Sequence, residues 1–367
     1  MKHIEIELLR LANFRNYNKL DIGIKSGFNV ITGLNGAGKT TILDAIYYLC
    51  NGKSYFTHLD KHIYKTGTNF FRLEGHYQKG NRKHLSVIKS SITTKKSIEL
   101  NEKKLKSLSE LMGHIPAFII APKDILILID SSIERRKVTD RTISHSDKTY
   151  LLHLLNYNKL LKQRNAYLKD INKKGLSDSV FLESLNEGLI VPAKYIHQSR
   201  IQYVKDIGPI VNKVYADISG QSEEITISYK SQLNETSLRE LLDVNLRKDM
   251  ALAKTSAGIH RDDLEIFIEG KPIKKYASQG QLKSAVIALK LAQMQWIEAL
   301  AETTPILLLD DVFDKLDLKR VERLLNLVNR GKAQVIITDT DNDRVINSLN
   351  KLKISQNHYI IENGKVK

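Results

Sequence analysis

A glycine-rich run between an apolar segment and a helical pattern carries the clearest chemistry in this sequence. Residues 33–41 read Gly-Leu-Asn-Gly-Ala-Gly-Lys-Thr-Thr, which fits the pattern G-x-x-x-x-G-K-S/T. Glycines let backbone N–H groups turn inward around phosphates, and the following helix adds partial positive charge. Lys39 then reaches the β- and γ-phosphates, and the Thr40 hydroxyl can ligate Mg²⁺. We predict that this loop binds a nucleotide through the following residues: Gly33, Leu34, Asn35, Gly36, Ala37, Gly38, Lys39, Thr40 and Thr41.

Two carboxylates follow an apolar segment much later in the chain. Residues 306–309 read Ile-Leu-Leu-Leu, and Asp310 and Asp311 come directly after them. In a P-loop enzyme, one carboxylate at such a strand end holds the Mg²⁺ shell, and its neighbour can orient or deprotonate the attacking water. A buried strand with an acidic cap is the alternative interpretation of the same pattern.

A serine-glycine motif lies between these two clusters, at the start of another helical pattern. The motif is Ser278-Gln279-Gly280-Gln281, and Leu316-Asp317 follows the acidic strand. Serine is a common N-cap residue, but a helix N-terminus with a serine hydroxyl also suits a phosphate. The order of the four motifs resembles the ATP-binding-cassette (ABC) class. That resemblance implies two ATP molecules sandwiched in a head-to-tail dimer, with Ser278 to Gln281 contacting the ATP of the partner subunit.

The elements that must position these groups follow from hydrophobic periodicity. We predict strands at 4–11, 20–24 and 28–32, and antiparallel strands between 70 and 100. Two long amphipathic helices are expected between 131 and 207, joined at 175–178, with a potential kink at Pro192. A strand at 264–269, a turn at 270–272, a long helix, a strand at 306–309, a helix at 319–329 and a strand at 334–337 complete the prediction.

This order of elements predicts an α/β protein with the head of an ABC-type P-loop ATPase. The expected ATPase lobe combines residues 1–105 and 251–367, which hold the phosphate loop, the Ser278 motif and the acidic strand end. A mainly helical lobe, residues 106–250, is inserted between the phosphate loop and that motif.

Charge and composition limit the classes of partner and the compartment that we expect for this protein. The formal net charge is +16 at pH 7, which attracts polyanions such as nucleic acids, although acidic membranes or proteins also fit this charge. No apolar stretch approaches the roughly 20 residues of a membrane span, and the N-terminal residues lack a signal-peptide pattern, so we expect a cytoplasmic protein. The single cysteine, Cys50, falls on the apolar face of the predicted first helix and is expected to be a buried thiol.

Further sequence blocks narrow the resemblance to one family. They are residues 11–17 (Leu-Ala-Asn-Phe-Arg-Asn-Tyr), 121–125 (Ala-Pro-Lys-Asp-Ile), 134–137 (Glu-Arg-Arg-Lys) and 258–263 (Gly-Ile-His-Arg-Asp-Asp). Together with the Ser278 motif, they resemble the bacterial RecF recombination-mediator family from residue 4 to about residue 341. The resemblance implies an ATPase that uses ATP and Mg²⁺, binds single- and double-stranded DNA and dimerises with ATP. It further implies recombinase loading at gaps with RecO- and RecR-type mediators, in repair, replication restart and the SOS response.

Carried over position by position, the resemblance implies a role for each motif. Asp310 and Thr40 serve the metal, Asp311 serves the hydrolytic water, and Lys39 completes the catalytic set. Thr338 stands where many cassette ATPases have a histidine that senses the γ-phosphate, so slow hydrolysis is expected. The chain departs from the family pattern at Lys123, Ser132, Ile259, Leu282 and Lys283.

Three other protein classes share parts of this pattern. An ATPase subunit of a membrane transporter, the main alternative, normally has an Asp-Glu pair and a switch histidine, where this chain has Asp310-Asp311 and Thr338. A long-armed chromosome-structuring ATPase would need sustained heptads in the roughly 240 residues between the two phosphate motifs, and none is seen. A small-molecule P-loop kinase would leave the Ser278 motif unexplained.

Overall fold

The computed structural model describes residues 2–57, 59–174, 179–220, 223–314, 316–362 and 364–367. The predicted helix connection at 175–178 and the residue before Leu316 lie outside these ranges. The strands are β1 Lys2–Phe14, β2 Tyr17–Gly23, β3 Phe28–Thr32, β4 Phe70–Lys79, β5 Arg82–Ser91, β6 Ser97–Leu100, β7 Lys103–Lys104, β8 Ala117–Ile120, β9 Ile225–Lys230, β10 Asp263–Ile268, β11 Lys271–Pro272, β12 Thr303–Thr304, β13 Ile306–Asp310, β14 Val335–Asp339, β15 Gln356–Glu362 and β16 Lys365–Val366.

The α-helices of the described residues vary from single turns to a helix of 41 residues. They are α1 Lys39–Asn51, α2 Leu108–Leu111, α3 Leu126–Ile129, α4 Ser132–Ser146, α5 Lys148–Lys174, α6 Ser179–Ser219, α7 Leu238–Val244, α8 Leu246–Leu252, α9 Ile273–Tyr276, α10 Gln279–Ala301, α11 Leu318–Arg330 and α12 Asn342–Lys351.

The strand before the phosphate loop lies inside a sheet with the order β16-β15-β3-β14-β13-β8 in the described residues. Every neighbouring pair is parallel except β15 with β16. β3, β8, β13 and β14 are buried along their whole length, which is typical of parallel strands covered on both faces. Because parallel strands end at the same edge of a sheet, the phosphate loop after β3 and the acids after β13 meet at that edge.

Helix α1 links this parallel sheet to an antiparallel one. The second sheet has the order β12-β1-β4-β5-β6-β7, with β2 paired to β1, which confirms the antiparallel strands predicted between 70 and 100. α1 contacts strands of both sheets, and its side chains are buried except that of Thr40. Cys50 is fully buried as predicted, and burial raises the pKa of its thiol to about 12.

The chain divides into two compact units. The first, called the ATPase unit here, comprises residues 1–125, 214–222 and 279–367; the second, the helical unit, comprises 126–213 and 223–278. These boundaries differ from the predicted ones at 105 and 250. Residues 117–120 form β8 of the parallel sheet and therefore belong with the ATPase unit. β10 pairs with β9, which assigns residues 263–268 to the helical unit.

The helical unit is built around the two long helices that the periodicity predicts, α5 and α6. α6 continues past Pro192 and Pro209. Arg164 of α5 is fully buried and binds Asp249 with an N–O distance of 2.7 Å. A charged side chain at such depth needs a partner of opposite charge, so this ion pair fixes the position of α5 against α8.

Candidate nucleotide site

The phosphate loop joins the end of β3 to the start of α1, as the sequence predicts. Gly33, Gly36 and Gly38 have positive φ angles of 147°, 82° and 112°. A Cβ atom at Gly33 would lie 2.4 Å from the carbonyl oxygen of Ile361, and one at Gly38 would lie 2.5 Å from the hydroxyl of Tyr17. Glycine is therefore required at both positions by backbone conformation and by space.

The Lys39 ammonium lies inside the loop that it follows. Its Nζ donates hydrogen bonds to the carbonyl oxygens of Gly33 at 2.7 Å and Leu34 at 3.2 Å, and the residue is 5% exposed. A cation in this position adds to the N-terminal dipole of α1, so the loop is suited to bind an anionic group.

Thr40 and Asp310 come together across the edge of the parallel sheet. The Thr40 hydroxyl donates to Oδ1 of Asp310 at 2.8 Å, and the Thr338 hydroxyl donates to the same oxygen at 2.8 Å. Burial raises the pKa of Asp310, while these two hydrogen bonds and the Lys39 charge oppose the rise. A hydroxyl and a buried carboxylate are hard oxygen donors, so the pair fits Mg²⁺ with the remaining ligands from phosphate and water.

Asp311 directly follows the strand and lines the cavity over the phosphate loop. Its backbone is in the left-handed region, with φ at 46°, and its N–H donates to the carbonyl oxygen of Thr338 at 3.1 Å. Its Oδ1 is buried and has no hydrogen-bond partner among the described residues. Burial, followed by the charge of Asp310, raises the pKa of Asp311. A carboxylate that lines the cavity and has a raised pKa is suited to accept a proton.

Thr338 differs from its predicted position. The sequence places it after a strand, in the position of a sensor histidine, but it is the fourth residue of β14 and is fully buried. Its hydroxyl is used on Asp310. Asp339 ends this strand instead, with Oδ2 buried and without a partner in the described residues. Its charge contributes to the raised pKa of Asp311.

Two residues of the β1–β2 turn belong to the site although no chemical role was predicted for them. Arg15 and Asn16 line the same cavity of about 310 Å³ as Gly38, Lys39 and Asp311. The block that contains them is similar to the family pattern, but its residue types predict no contact with the phosphate loop. Arg15 has a φ of 52°, a conformation that is strained for this residue type.

The Arg15 guanidinium is held by the phosphate-loop helix itself. Its Nη2 donates to Oδ2 of Asp44 at 2.6 Å, and Asp44 is fully buried in α1. Asp44 also accepts from the Ser54 hydroxyl at 2.7 Å and from the backbone N–H of Tyr55 at 2.8 Å. Asn16 accepts from the Thr41 hydroxyl at 2.9 Å. The turn is thereby fixed over the phosphate loop.

The signature motif lies at the N-terminus of α10. Ser278 directly precedes the helix, which begins at Gln279, and both residues are exposed. Within the described ATPase unit, Gln279, Gly280 and Gln281 are not among the residues that line the cavity over the phosphate loop. The structure thus brings together the phosphate loop and the two acids, but not these three signature residues.

The sequence of this chain is similar to those of known DNA repair proteins. A sequence profile for the RecF/RecN/SMC N terminal domain matches residues 5–362. The DNA replication and repair protein RecF of Flavobacterium johnsoniae is 39% identical over 342 residues, covering 93% of this chain and 95% of that protein. RecF of Cytophaga hutchinsonii is 36% identical over 362 residues, covering 98% and 96%. The chain belongs to the RecF family of DNA replication and repair proteins.

Solved structures agree with membership of the RecF family. A structure of the recombination mediator protein RecF-ATP in the RecFOR pathway has a TM-score of 0.89 at 30% identity, covering 99% of this chain and 97% of that one. The Smc head domain of Pyrococcus furiosus has a TM-score of 0.58 at 17% identity, covering 99% and 95%, and shares the fold. The predicted ABC-type ATPase head is confirmed. None of the described helices is long and apolar enough to cross a membrane.

Proposed function

We propose that this RecF-family protein is an ATP-dependent DNA-binding protein of recombinational repair and replication restart. It binds single- and double-stranded DNA, dimerises with ATP, hydrolyses ATP slowly and acts in the cytoplasm. With RecR- and RecO-type partners it assists recombinase loading at gaps, including in the SOS response. The observation that carries the ATPase part is the 2.8 Å contact between the Thr40 hydroxyl and Asp310 at the mouth of the phosphate loop.

Residues of this chain account for the proposed binding of ATP and Mg²⁺. Backbone N–H groups of the loop and the ammonium of Lys39 hold the phosphates, and Arg15 lines the same cavity. Thr40 and Asp310 would hold Mg²⁺, which would neutralise charge that develops on the phosphate oxygens. A bound cation also relieves the cost of burying the Asp310 carboxylate.

Hydrolysis is assigned to Asp311. Its carboxylate lines the cavity and accepts the proton of the attacking water. The raised pKa makes it a better base than an ordinary carboxylate once it is ionised. Thr338 has its hydroxyl on Asp310 and does not take the place of a sensor histidine, which supports slow turnover.

Dimerisation is assigned to the signature motif. Ser278 and Gln279 are exposed at the start of α10, where a helix dipole favours an anion. A second copy that presents its own phosphate loop to this helix start would bury ATP between both subunits. The transporter alternative has no comparable support, because the RecF relatives match this chain over nearly its full length.

Fluorescence anisotropy of a labelled gapped duplex tests the proposal, with and without a non-hydrolysable ATP analogue and Mg²⁺. We expect nanomolar to micromolar binding that the analogue strengthens, with little difference between two unrelated sequences. A fluorescent nucleotide titration in parallel reports the ATP site alone. Nucleotide binding without any DNA binding would favour the transporter class and overturn the repair assignment.

A further inference from the structure

Helix α5 presents one continuous exposed stripe to solvent. Eight residues recur at alternating spacings of four and three, and all of them are exposed. They are Lys148, Leu152, Leu155, Lys159, Lys162, Ala166, Lys169 and Lys173, called the α5 stripe here. Residues with this spacing lie on one face of a helix. The buried side of α5 is occupied by Tyr150, Tyr157, Arg164 and Leu168.

The α5 stripe concentrates positive charge. Five of its members are lysines, and α5 contains a single acidic residue, Asp170. None of these five lysines forms an ion pair with a described residue, whereas the buried Arg164 of the same helix is paired with Asp249. Like charges three and four positions apart on a helix destabilise it. These five lysines therefore favour an anion at this surface.

The dimensions of the stripe match a nucleic-acid duplex. At 1.5 Å per residue, the distance from Lys148 to Lys173 is about 38 Å. One turn of B-DNA is roughly 34–36 Å long. Lys159, Lys162, Lys169 and Lys173 place four charges within about 21 Å along the helix. Duplex DNA carries about one phosphate per 1.7 Å of its axis, so each lysine has a phosphate within reach.

We propose that the α5 stripe binds the phosphate backbone of duplex DNA. The inference rests on the DNA-binding function proposed above and assigns it to a surface of the helical unit. The contacts are to phosphates, so this surface contributes affinity and no preference for base sequence.

Other occupants fit the stripe less well. An interfacial membrane helix needs a broad apolar face, but the large apolar residues of the stripe are Leu152 and Leu155 alone. On the other side of α5, Tyr150, Tyr157 and Leu168 are buried. A second copy of the same stripe is repelled by its own charge.

The test compares two charge-matched variants of the full chain. In the stripe variant, Lys159, Lys162, Lys169 and Lys173 are replaced by Gln, which preserves helix propensity. In the control variant, four exposed lysines of the ATPase unit are replaced by Gln: Lys19, Lys83, Lys319 and Lys353. Duplex affinity is measured between 50 and 200 mM salt, and nucleotide affinity is measured for both.

We expect the stripe variant to lose at least tenfold in duplex affinity at 100 mM salt. The magnitude of its slope of log K against log salt should fall by about 3.6, because each of the four lost phosphate contacts contributes roughly 0.9. The control variant should change the slope by less than half of that. Arg at the four stripe positions should restore the wild-type slope, and nucleotide binding should stay unchanged throughout. If the fourfold Gln variant does not fold, the pairs Lys159/Lys162 and Lys169/Lys173 should each give about half the effect.

Distinct outcomes overturn the proposal. Equal losses in both variants mean that DNA responds to net charge alone, and a wild-type slope in the stripe variant means that DNA binds elsewhere. Retained duplex binding with lost binding to vesicles of anionic lipid assigns the stripe to a membrane. Absence of duplex binding by the unaltered protein rejects the DNA-binding function itself.

Discussion

The Thr40 hydroxyl lies 2.8 Å from Oδ1 of Asp310, although 270 residues separate them in the chain. Parallel pairing of β3 with β14 and of β14 with β13 brings the two residues to one edge of the sheet. Thr338 donates to the same oxygen from the neighbouring strand, in register with Asp310. The oxygen that we assign to Mg²⁺ is thus positioned by two hydroxyls within the chain itself.

Asp310→Asn should stabilise the nucleotide-free protein near neutral pH. The folded state raises the pKa of Asp310, chiefly through burial, so it binds more protons than the unfolded state above the ordinary carboxyl pKa. The free energy of unfolding therefore falls as pH rises through the raised pKa. The amide removes this penalty, and its oxygen still accepts from Thr40 and Thr338.

Thermal unfolding from pH 4 to pH 8 measures this effect. The variant should unfold at a higher temperature than the unaltered protein at pH 7, and the difference should shrink toward pH 4. Addition of Mg²⁺ and ATP at about 100 times the dissociation constant should stabilise the unaltered protein by about 2.7 kcal/mol and the variant much less. A lower unfolding temperature for the variant at every pH would contradict the argument.

Asp311→Asn should slow hydrolysis by at least about 100-fold while ATP binding is kept, because the amide accepts no proton and a general base contributes roughly 10²–10⁴. The φ of 46° suits Asn, which tolerates the left-handed region, so the fold should be unaffected. Phosphate release and sedimentation with ATP measure turnover and the trapped dimer. Unchanged turnover would mean that another group is the base. Asp339, whose Oδ2 also lacks a partner among the described residues, is the next candidate, and Asp339→Asn serves as the comparison.

Lys39→Met should abolish ATP binding, since it removes the cation from the centre of the phosphate loop. The ammonium binds the carbonyls of Gly33 and Leu34, so loss of these contacts should leave the overall fold intact. Equilibrium titration with a fluorescent nucleotide measures the affinity, and circular dichroism checks folding. Wild-type affinity in a folded variant would refute the phosphate-loop assignment.

Ser278→Arg should keep ATP binding and block both dimerisation and hydrolysis. Ser278 is exposed before α10, so a long side chain is accommodated in the single subunit but obstructs a partner's phosphates. Sedimentation with a non-hydrolysable analogue measures the dimer. Ser278→Ala is the milder control, expected to weaken the dimer by a smaller factor. Dimers of normal strength in the arginine variant would exclude the trans-site arrangement.

The strands and helices that carry local patterns could be predicted from sequence, and long-range pairings could not. The apolar run of residues 306–309 predicts a strand, and the leucines of α5, at helical spacing, predict a helix. β15, by contrast, is partly exposed and mixed in composition, and it becomes a strand because it pairs with β3. The same reason explains β8, which is four residues long. Because β8 pairs with β13, the first segment of the ATPase unit ends at residue 125 and not at the predicted residue 105.

Within the site, the motif residues could be assigned from spacing, but Arg15 could not. Its relation to the phosphate loop depends on the register of the β1–β2 turn and on the buried carboxylate of Asp44. No local pattern encodes that contact. Thr338 shows the converse: the sequence predicts that it follows the strand, where many cassette ATPases have a sensor histidine, but it lies inside β14 and its hydroxyl binds Asp310.

Tyr55 lies between the nucleotide cavity and the signature helix. Its backbone N–H donates to Asp44, which holds Arg15 at the cavity wall. Its hydroxyl donates to the buried Asp124 and accepts from Lys290 of α10 at 2.9 Å. A hydrogen-bonded chain within the ATPase unit therefore runs from the cavity to the helix that begins at the signature motif.

Tyr55→Phe should weaken ATP-induced dimerisation by about tenfold and leave ATP affinity within about threefold. The variant keeps the backbone bond to Asp44, so the Arg15 side of the chain is preserved. Loss of the hydroxyl leaves Asp124 and Lys290 to their direct contact at 3.7 Å and should cost about 1–3 kcal/mol of stability. α10 is then held less firmly relative to the phosphate loop, so ATP binding orders the signature motif less. Sedimentation across a range of ATP concentrations measures the dimer.

Tyr64→Phe is the matched control, because it loses one hydroxyl contact, to Ser90, that is not part of this hydrogen-bonded chain. Equal dimerisation in both variants would show that the Tyr55 hydroxyl contributes to stability alone, and that ATP acts on α10 by another route.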